Sequence, residues 1–251
     1  MKENKLLVMD LDGTFVFDSV EVNHDDLATF NSISKNMYTA VATGRSVKEI
    51  NFIEMENDIE LDYLIGFNGA LVVNGKGDIL HDQPIPTDKL SRLLSFIEEE
   101  NLIFDALDGK ERIGNFQHEN PNSLWNMNLI CVDDPFKLLG DKQIYKINLR
   151  PTKGTSESLY SRLQELFPDL SIYQTGSTRI EITDEGISKG IALSLCKIDE
   201  DTEVLAVGDS ENDISMFKEA DVSYCLEHAK EKVRKHASKL INRFADLKLI
   251  V

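Results

Sequence analysis

The sequence predicts an α/β protein, doubly wound around a mostly parallel sheet, with an α+β cap domain inserted into it. Three observations carry this expectation. Short apolar runs alternate with helical stretches near the amino terminus, the pattern of parallel strands joined by crossover helices. The same alternation returns near the carboxyl terminus. Between the two, from about Asp82, the chain turns more polar and irregular, and strands and helices mix as in α+β folds. The core is therefore expected at residues 1–81 and 185–251, interrupted by a cap at 82–184.

The elements follow in order. Lys5 to Met9 (KLLVM) is an apolar run ending in an acid, as in a strand buried on both faces. Residues 25–35 read as a helix and Tyr38 to Ala42 (YTAVA) as a second strand. Ser46-Val47-Lys48-Glu49 fits the S-x-x-E capping box and sets a helix start just after Thr43-Gly44-Arg45. Leu64 to Phe67 is a third strand. Ala70 to Val73 and Ile79 to His81 flank Asn74-Gly75-Lys76-Gly77-Asp78, which reads as a hairpin turn. Thr87 to Asn101 is an amphipathic helix, and irregular sequence is expected from there to about Asp141. Within it, Phe116 to Asn128 carries the single tryptophan, Trp125, and reads as an exposed loop. A strand at Ile144–Leu149, a helix at Ser156–Leu166 and short strands at Ser171–Gln174 and Thr178–Ile182 complete the cap. A helix from Ile187 to Leu195, a buried strand at Glu203–Val207 and a helix at Ile214–Glu219 follow. A strand at Val222–Leu226 and a helix at Lys230–Ala237 end the series.

Composition narrows the function. With 251 residues, 41% hydrophobic and 28% charged, the chain has ample material for a buried core. No apolar run approaches the roughly 18 residues of a membrane span, and the apolar start Leu6 to Met9 is too short for a signal peptide. A cytoplasmic protein with no membrane partner is expected. The formal charge of −17 argues against nucleic acid, whose binding needs clustered Lys and Arg. It also means that an anionic substrate must be held by local cations against a repulsive field. The three cysteines, Cys131, Cys196 and Cys225, lie far apart without C-x-x-C spacing, so they read as reduced thiols. The five histidines show no H-E-x-x-H spacing, and none is assigned to a metal.

Four short segments carry chemistry. Asp10-Leu11-Asp12-Gly13-Thr14 leaves the first strand at its carboxyl end, where open α/β sheets bind ligands. Two carboxylates so close repel each other unless a cation lies between them or one is protonated. That division suits phosphoryl transfer, with one carboxylate attacking phosphorus and the other moving a proton to and from the oxygen that leaves and the water that enters. Gly208-Asp209-Ser210-Glu211-Asn212-Asp213 also follows a buried strand, and Asp209 and Asp213 are placed to face one hard cation. Ala42-Thr43-Gly44-Arg45 joins a strand to a capped helix, a setting for an anion. Lys189, in Ser188-Lys189-Gly190, opposes the dipole at its helix start, a placement that holding a phosphate would explain.

Taken in order, Asp10-Leu11-Asp12-Gly13-Thr14, Thr43, Lys189 and Gly208-Asp209 with Asn212-Asp213 resemble the four motifs of the haloacid dehalogenase superfamily. Ala42-Thr43-Gly44-Arg45, Asn68-Gly69-Ala70 and Gly208-Asp209-x-x-Asn212-Asp213 look like the spellings of its Cof-type phosphatases, which carry a large α/β cap between the second and third motifs. The resemblance implies a Rossmann-like core and a Mg²⁺-dependent phosphatase acting on a small-molecule phosphate ester of sugar-phosphate type, as a monomer or weak homodimer. It implies Asp10 as nucleophile and metal ligand, and Asp12 as general acid/base and a metal ligand through its carbonyl. Thr43 and Lys189 would bind the phosphoryl group. Asp209 would complete the metal site, with Asp213 a direct or indirect partner, and Arg45, Asn68 and Asn212 would orient phosphate or nearby loops. One departure stands out: Glu227-His228-Ala229 occupies the place where the family usually has Gly-Asn-Ala. Alternatives are a phosphomutase of the same superfamily, a receiver-type signalling domain, which Asp10 and Asp12 on the first strand argue against, and a catalytically silent phosphate-ligand-binding regulator, which Glu227-His228 motivates.

Overall fold

The computed structural model describes residues 2–18, 20–118, 127–152, 154–175 and 178–249; Trp125 and most of the loop around it lie outside them. In chain order the elements begin with β1 (Lys5–Met9), α1 (His24–Ile33), β2 (Tyr38–Ala42), α2 (Val47–Asn57), β3 (Tyr63–Gly66), β4 (Leu71–Asn74) and β5 (Ile79–Asp82). Next come α3 (Thr87–Glu99), β6 (Phe104–Leu107), β7 (Glu111–Gly114), β8 (Asn128–Cys131), the single turn α4 (Phe136–Leu139), β9 (Lys146–Leu149), α5 (Ser156–Leu166), β10 (Leu170–Thr175) and β11 (Arg179–Asp184). The chain ends with α6 (Lys189–Ser194), β12 (Glu203–Gly208), α7 (Ile214–Glu219), β13 (Val222–Leu226), α8 (Glu231–Arg234) and β14 (Lys239–Ile241). It divides into two compact units, Met1–His81 with Ser188–Val251, and Asp82–Ile187.

The first unit is built on an eight-stranded sheet in the order β14-β13-β12-β1-β2-β3-β4-β5. Its strands run parallel from β14 to β3, and β4 returns antiparallel to β3. The mostly parallel, doubly wound sheet matches the sequence expectation. The all-apolar spelling of β1 has a direct cause, because alternate residues feed two separate cores. Leu7 and Met9 pack with Phe15, Phe30, Val41, Ile50 and Val207 on one face. Leu6 and Val8 pack with Ala40, Ala206, Leu193, Met216 and Phe217 on the other. Register pairs Met9 with Val41 on one side and with Val207 on the other, so three strands end level with one another. Asp10, Thr43 and Asp209 leave from that common edge.

The second unit carries a six-stranded sheet in the order β10-β11-β9-β6-β7-β8, antiparallel except where β7 meets β8. One face, with Phe104, Ala106, Ile113, Ile147, Leu149, Ile180 and Ile182, packs on Leu93 and Ile97 of α3 and Leu163 of α5. The opposite face bears Asp105, Arg112, Lys146, Asn148 and Glu181, all buried. Here the structure departs from the sequence reading, which expected irregular chain where β6, β7 and β8 form. The alternation is present, as Phe104-Asp105-Ala106-Leu107 shows, but charges fill the buried polar face and each strand is only four residues long. Smaller differences are that α6 begins at Lys189, with Ser188 as its N-cap, and that β14 went unread. Among the described residues no helix is long and apolar enough to cross a membrane.

Candidate active site

Asp10 follows the buried end of β1, and its backbone N–H continues the ladder to Val207 O at 2.8 Å. The chain then folds back tightly, with Phe15 and Val16 N–H both donating to Leu11 O. Gly13 is required at this corner. Its φ is +85°, and a Cβ there would stand 2.8 Å from Asp209 Oδ2. The motif glycine thus brings the first acidic loop against the second.

Lys189 joins the two halves of this unit. Its ammonium, with the residue only 1% exposed, donates to Asp10 Oδ1 at 2.5 Å and to Asp213 Oδ1 at 2.7 Å. Ser188 caps the helix by accepting from Ile191 N–H. Gly69, with φ +117°, lets the loop after β3 approach, since a Cβ would lie 2.7 Å from Ser188 O. That loop is strained: Phe67 and Asn68 both hold left-handed φ, at 52° and 59°.

Asp213 is fully engaged. Besides Lys189, its Oδ2 accepts from the backbone N–H groups of Asp209 (2.9 Å) and Ser210 (2.8 Å). A Cβ on Gly208 would lie 2.5 Å from this carboxylate, which explains the glycine at the end of β12. Asp209 Oδ1 accepts from the hydroxyls of Thr14 and Ser210, each at 3.3 Å, and its Oδ2 lies 3.2 Å from His228 Nε2. One oxygen from each of Asp10, Asp209 and Asp213 falls within 4.8 Å of the others.

The remaining candidates surround this cluster. The Asp12 carboxylate is not among the three; the buried Arg45 guanidinium holds it, with Nε 2.9 Å from Oδ2 and Nη2 on Oδ1. Thr43 is buried, and its hydroxyl accepts from Arg45 N–H at 3.3 Å. Asn212 Nδ2 donates to Asn68 Oδ1 at 3.0 Å, while its own Oδ1 is buried with no hydrogen-bond partner. Thr14, Ser210 and His228 are the contacts the sequence left without a role. Thr14 lies inside the first motif and Ser210 directly follows Asp209 in the last, so both had a local cue; His228 comes from a separate segment and had none.

Electrostatics define what the cluster lacks. Burial pushes the Asp10 carboxyl well above the usual carboxylate range; Lys189 pulls it back, while Asp213 and Asp209 push it further up. Burial, then Asp213, also raises Asp209, partly offset by His228. For Lys189, burial alone would favour the neutral amine, but Asp10 and Asp213 overrule it and keep the ammonium protonated. Three acids therefore stand together with one ammonium, which bonds Asp10 and Asp213 and leaves Asp209 without it. An all-oxygen donor set short of positive charge fits a hard divalent cation such as Mg²⁺.

The model of the haloacid dehalogenase-like hydrolase family matches residues 7–246. The chain is 24% identical over 242 residues to YcsE of Bacillus subtilis, a 5-amino-6-(5-phospho-D-ribitylamino)uracil phosphatase, spanning 93% of this chain and 88% of that one. It is 24% identical over 239 residues to YbjI of Escherichia coli, which bears the same activity in its name, with 90% and 86% covered. A haloacid dehalogenase-like hydrolase from B. subtilis has the same fold, with a TM-score of 0.86 at 21% identity over 98% of this chain and 99% of that one. With the family match running nearly end to end through both halves of the acidic site, the chain belongs to the haloacid dehalogenase-like hydrolases.

Proposed function

We propose that the protein is a Mg²⁺-dependent phosphatase that hydrolyses a small phosphate monoester through an aspartyl-phosphate on Asp10. The observation that carries this reading is the buried ammonium of Lys189 on Asp10 in a cluster that still lacks positive charge. Asp10, Asp209 and the Asp12 carbonyl would hold Mg²⁺, with Asp213 fixing the Asp209 loop. The ion supplies charge neutralisation that lets one anion approach another.

The chain's own groups divide the work. An Asp10 carboxylate oxygen attacks phosphorus, the bond to the ester oxygen breaks, and the protonated Asp12 carboxyl gives that oxygen its proton. Asp12 then takes a proton from water, whose oxygen attacks the phosphoryl group and releases phosphate from Asp10. Lys189 and the Thr43 hydroxyl bind the transferring group. Arg45, which holds Asp12 by two hydrogen bonds, orients that side chain between the two steps.

The two curated relatives act on the phosphate of a ribityl chain, which supports sugar and sugar-alcohol phosphates as the substrate class. The test is phosphate release from a panel of sugar phosphates, sugar-alcohol phosphates including the ribitylaminouracil ester, cofactor phosphates and nucleotides. The expected result is Mg²⁺-dependent turnover of a sugar or polyol phosphate that chelator abolishes and D10N lacks. Turnover surviving D10N would overturn the nucleophile, and turnover indifferent to chelator would overturn the metal.

A further inference from the structure

The three acids of the cluster are not held equally. Asp10 receives the Lys189 ammonium at 2.5 Å. Asp213 receives the same ammonium at 2.7 Å and two backbone N–H groups at 2.8 and 2.9 Å. Asp209 has neither kind of partner. Two hydroxyls, Thr14 and Ser210, approach one of its oxygens at 3.3 Å, long for O–H···O bonds. Among the described residues, the other oxygen has one side-chain neighbour able to donate, His228 Nε2 at 3.2 Å. A carboxylate tethered on Oδ1 alone pivots about that edge; the contact on Oδ2 is what stops the pivot.

His228 is suited to that task and otherwise unexplained. It sits in the loop after β13, its side chain 46% exposed, with its ring edge-on to Phe17 at 6.1 Å between centroids. Phe17 is itself exposed, and of the adjacent residues Glu227 is exposed and only the small Ala229 is buried, so His228 is not a core residue.

We infer that His228 is a positioning residue: its Nε2–H donates to Asp209 Oδ2, holds that carboxylate facing Asp10 and Asp213, and so strengthens divalent-cation binding by the cluster. The inference rests on the proposed metal site. Groups that orient metal ligands typically govern about 10- to 100-fold in metal affinity.

The test is calorimetric titration of the whole protein with Mg²⁺, without substrate, in the wild type, H228F, H228Q and D209N. H228F keeps a ring beside Phe17 and removes the hydrogen bond; H228Q keeps a donor at similar reach. The expected result is Mg²⁺ affinity weakened about 10-fold or more in H228F and largely restored in H228Q, with melting in chelator unchanged in both. In turnover, the Mg²⁺ concentration for half-activity should rise by the same factor in H228F, with a smaller change in kcat at saturating Mg²⁺. Wild-type affinity in H228F together with loss in D209N would overturn the positioning role alone. Equal weakening in H228F and H228Q would overturn the hydrogen bond as its cause. Wild-type affinity in D209N would overturn the metal site and the positioning role with it.

Discussion

Asp10 and Asp105 are both buried carboxylates on sheets, one in each unit, and their surroundings treat them in opposite ways. Burial alone would raise both. At Asp10 it wins, helped by Asp213 and Asp209, and a single lysine only moderates it. At Asp105 the outcome reverses, because Arg150, Arg112 and a hydrogen bond from Asn148 at 2.8 Å hold the carboxyl below its usual range. The pattern extends outward in the second unit: the backbone N–H groups of Lys110 and Glu111, then Lys142, lower Asp108, Lys142 lowers Glu111, and Lys89 lowers Asp184. The inserted unit brings its own counter-charges. The acidic site of the first unit is left short of one, which costs stability and gains a place for a ligand of the missing sign.

The comparison can be broken at either acid. Asp10→Asn should lower kcat/KM by about three orders of magnitude or more, the scale seen when a nucleophile is removed. Its melting temperature in chelator should hold or rise, since mutual repulsion is relieved; a marked fall would show that Asp10 is structural. Asp105→Ala should do the reverse. It strands Arg150 and Arg112 in a buried setting, and urea unfolding should show a loss of about 3–5 kcal/mol that Mg²⁺ does not repair.

Cation binding and pH sharpen the same contrast. Asp10 and Asp209 have raised values in the folded state, so the folded chain binds more protons than the unfolded one. Their contribution to stability therefore declines as pH rises from the ordinary carboxylate range through those raised values. Asp105, Asp108 and Asp184 have the opposite sign; what they contribute is present above the ordinary carboxylate pKa and is lost as pH falls through their lowered values. Mg²⁺ at about 100 times its Kd should add about 2.7 kcal/mol near pH 8, roughly 5–10 °C in Tm, and clearly less near pH 5. Thermal melts with and without chelator at the two pH values check this, and equal shifts at both would refute it. The smallest effect belongs to Ser46→Ala. It removes a capping box in which Ser46 and Glu49 satisfy each other's backbone N–H, and should cost about 1 kcal/mol at any Mg²⁺ concentration.

What was legible in the sequence was local. The exit of β1 into Asp10, the Ser46–Glu49 box and the turn Asn74–Asp78 are written in neighbouring residues, and the structure forms each of them. The strands β6, β7 and β8 were not legible, because their stability comes from cross-strand partners such as Asp105 and Asn148, which are 43 positions apart. A charge on a buried face looks like a surface residue until its partner is known. The surroundings of Asp209 were hidden in part for the same reason: Ser210 is its sequence neighbour, but Thr14 and His228 reach it only in space. The contact of Arg45 was not legible either: its guanidinium meets the Asp12 carboxylate, a residue 33 positions away.

The position of β1 bears on how the protein is made. Its two sheet neighbours are β2, close by in sequence, and β12, where Glu203 lies opposite Lys5. A chain leaving the ribosome amino end first carries one unpaired edge of β1 through most of its synthesis. Slow, long-range closure is the expected kinetic consequence, since the β1–β12 pairing must wait for a partner far along the chain. It also means that a product terminated before Lys189 holds Asp10 without the ammonium that meets it in the folded chain.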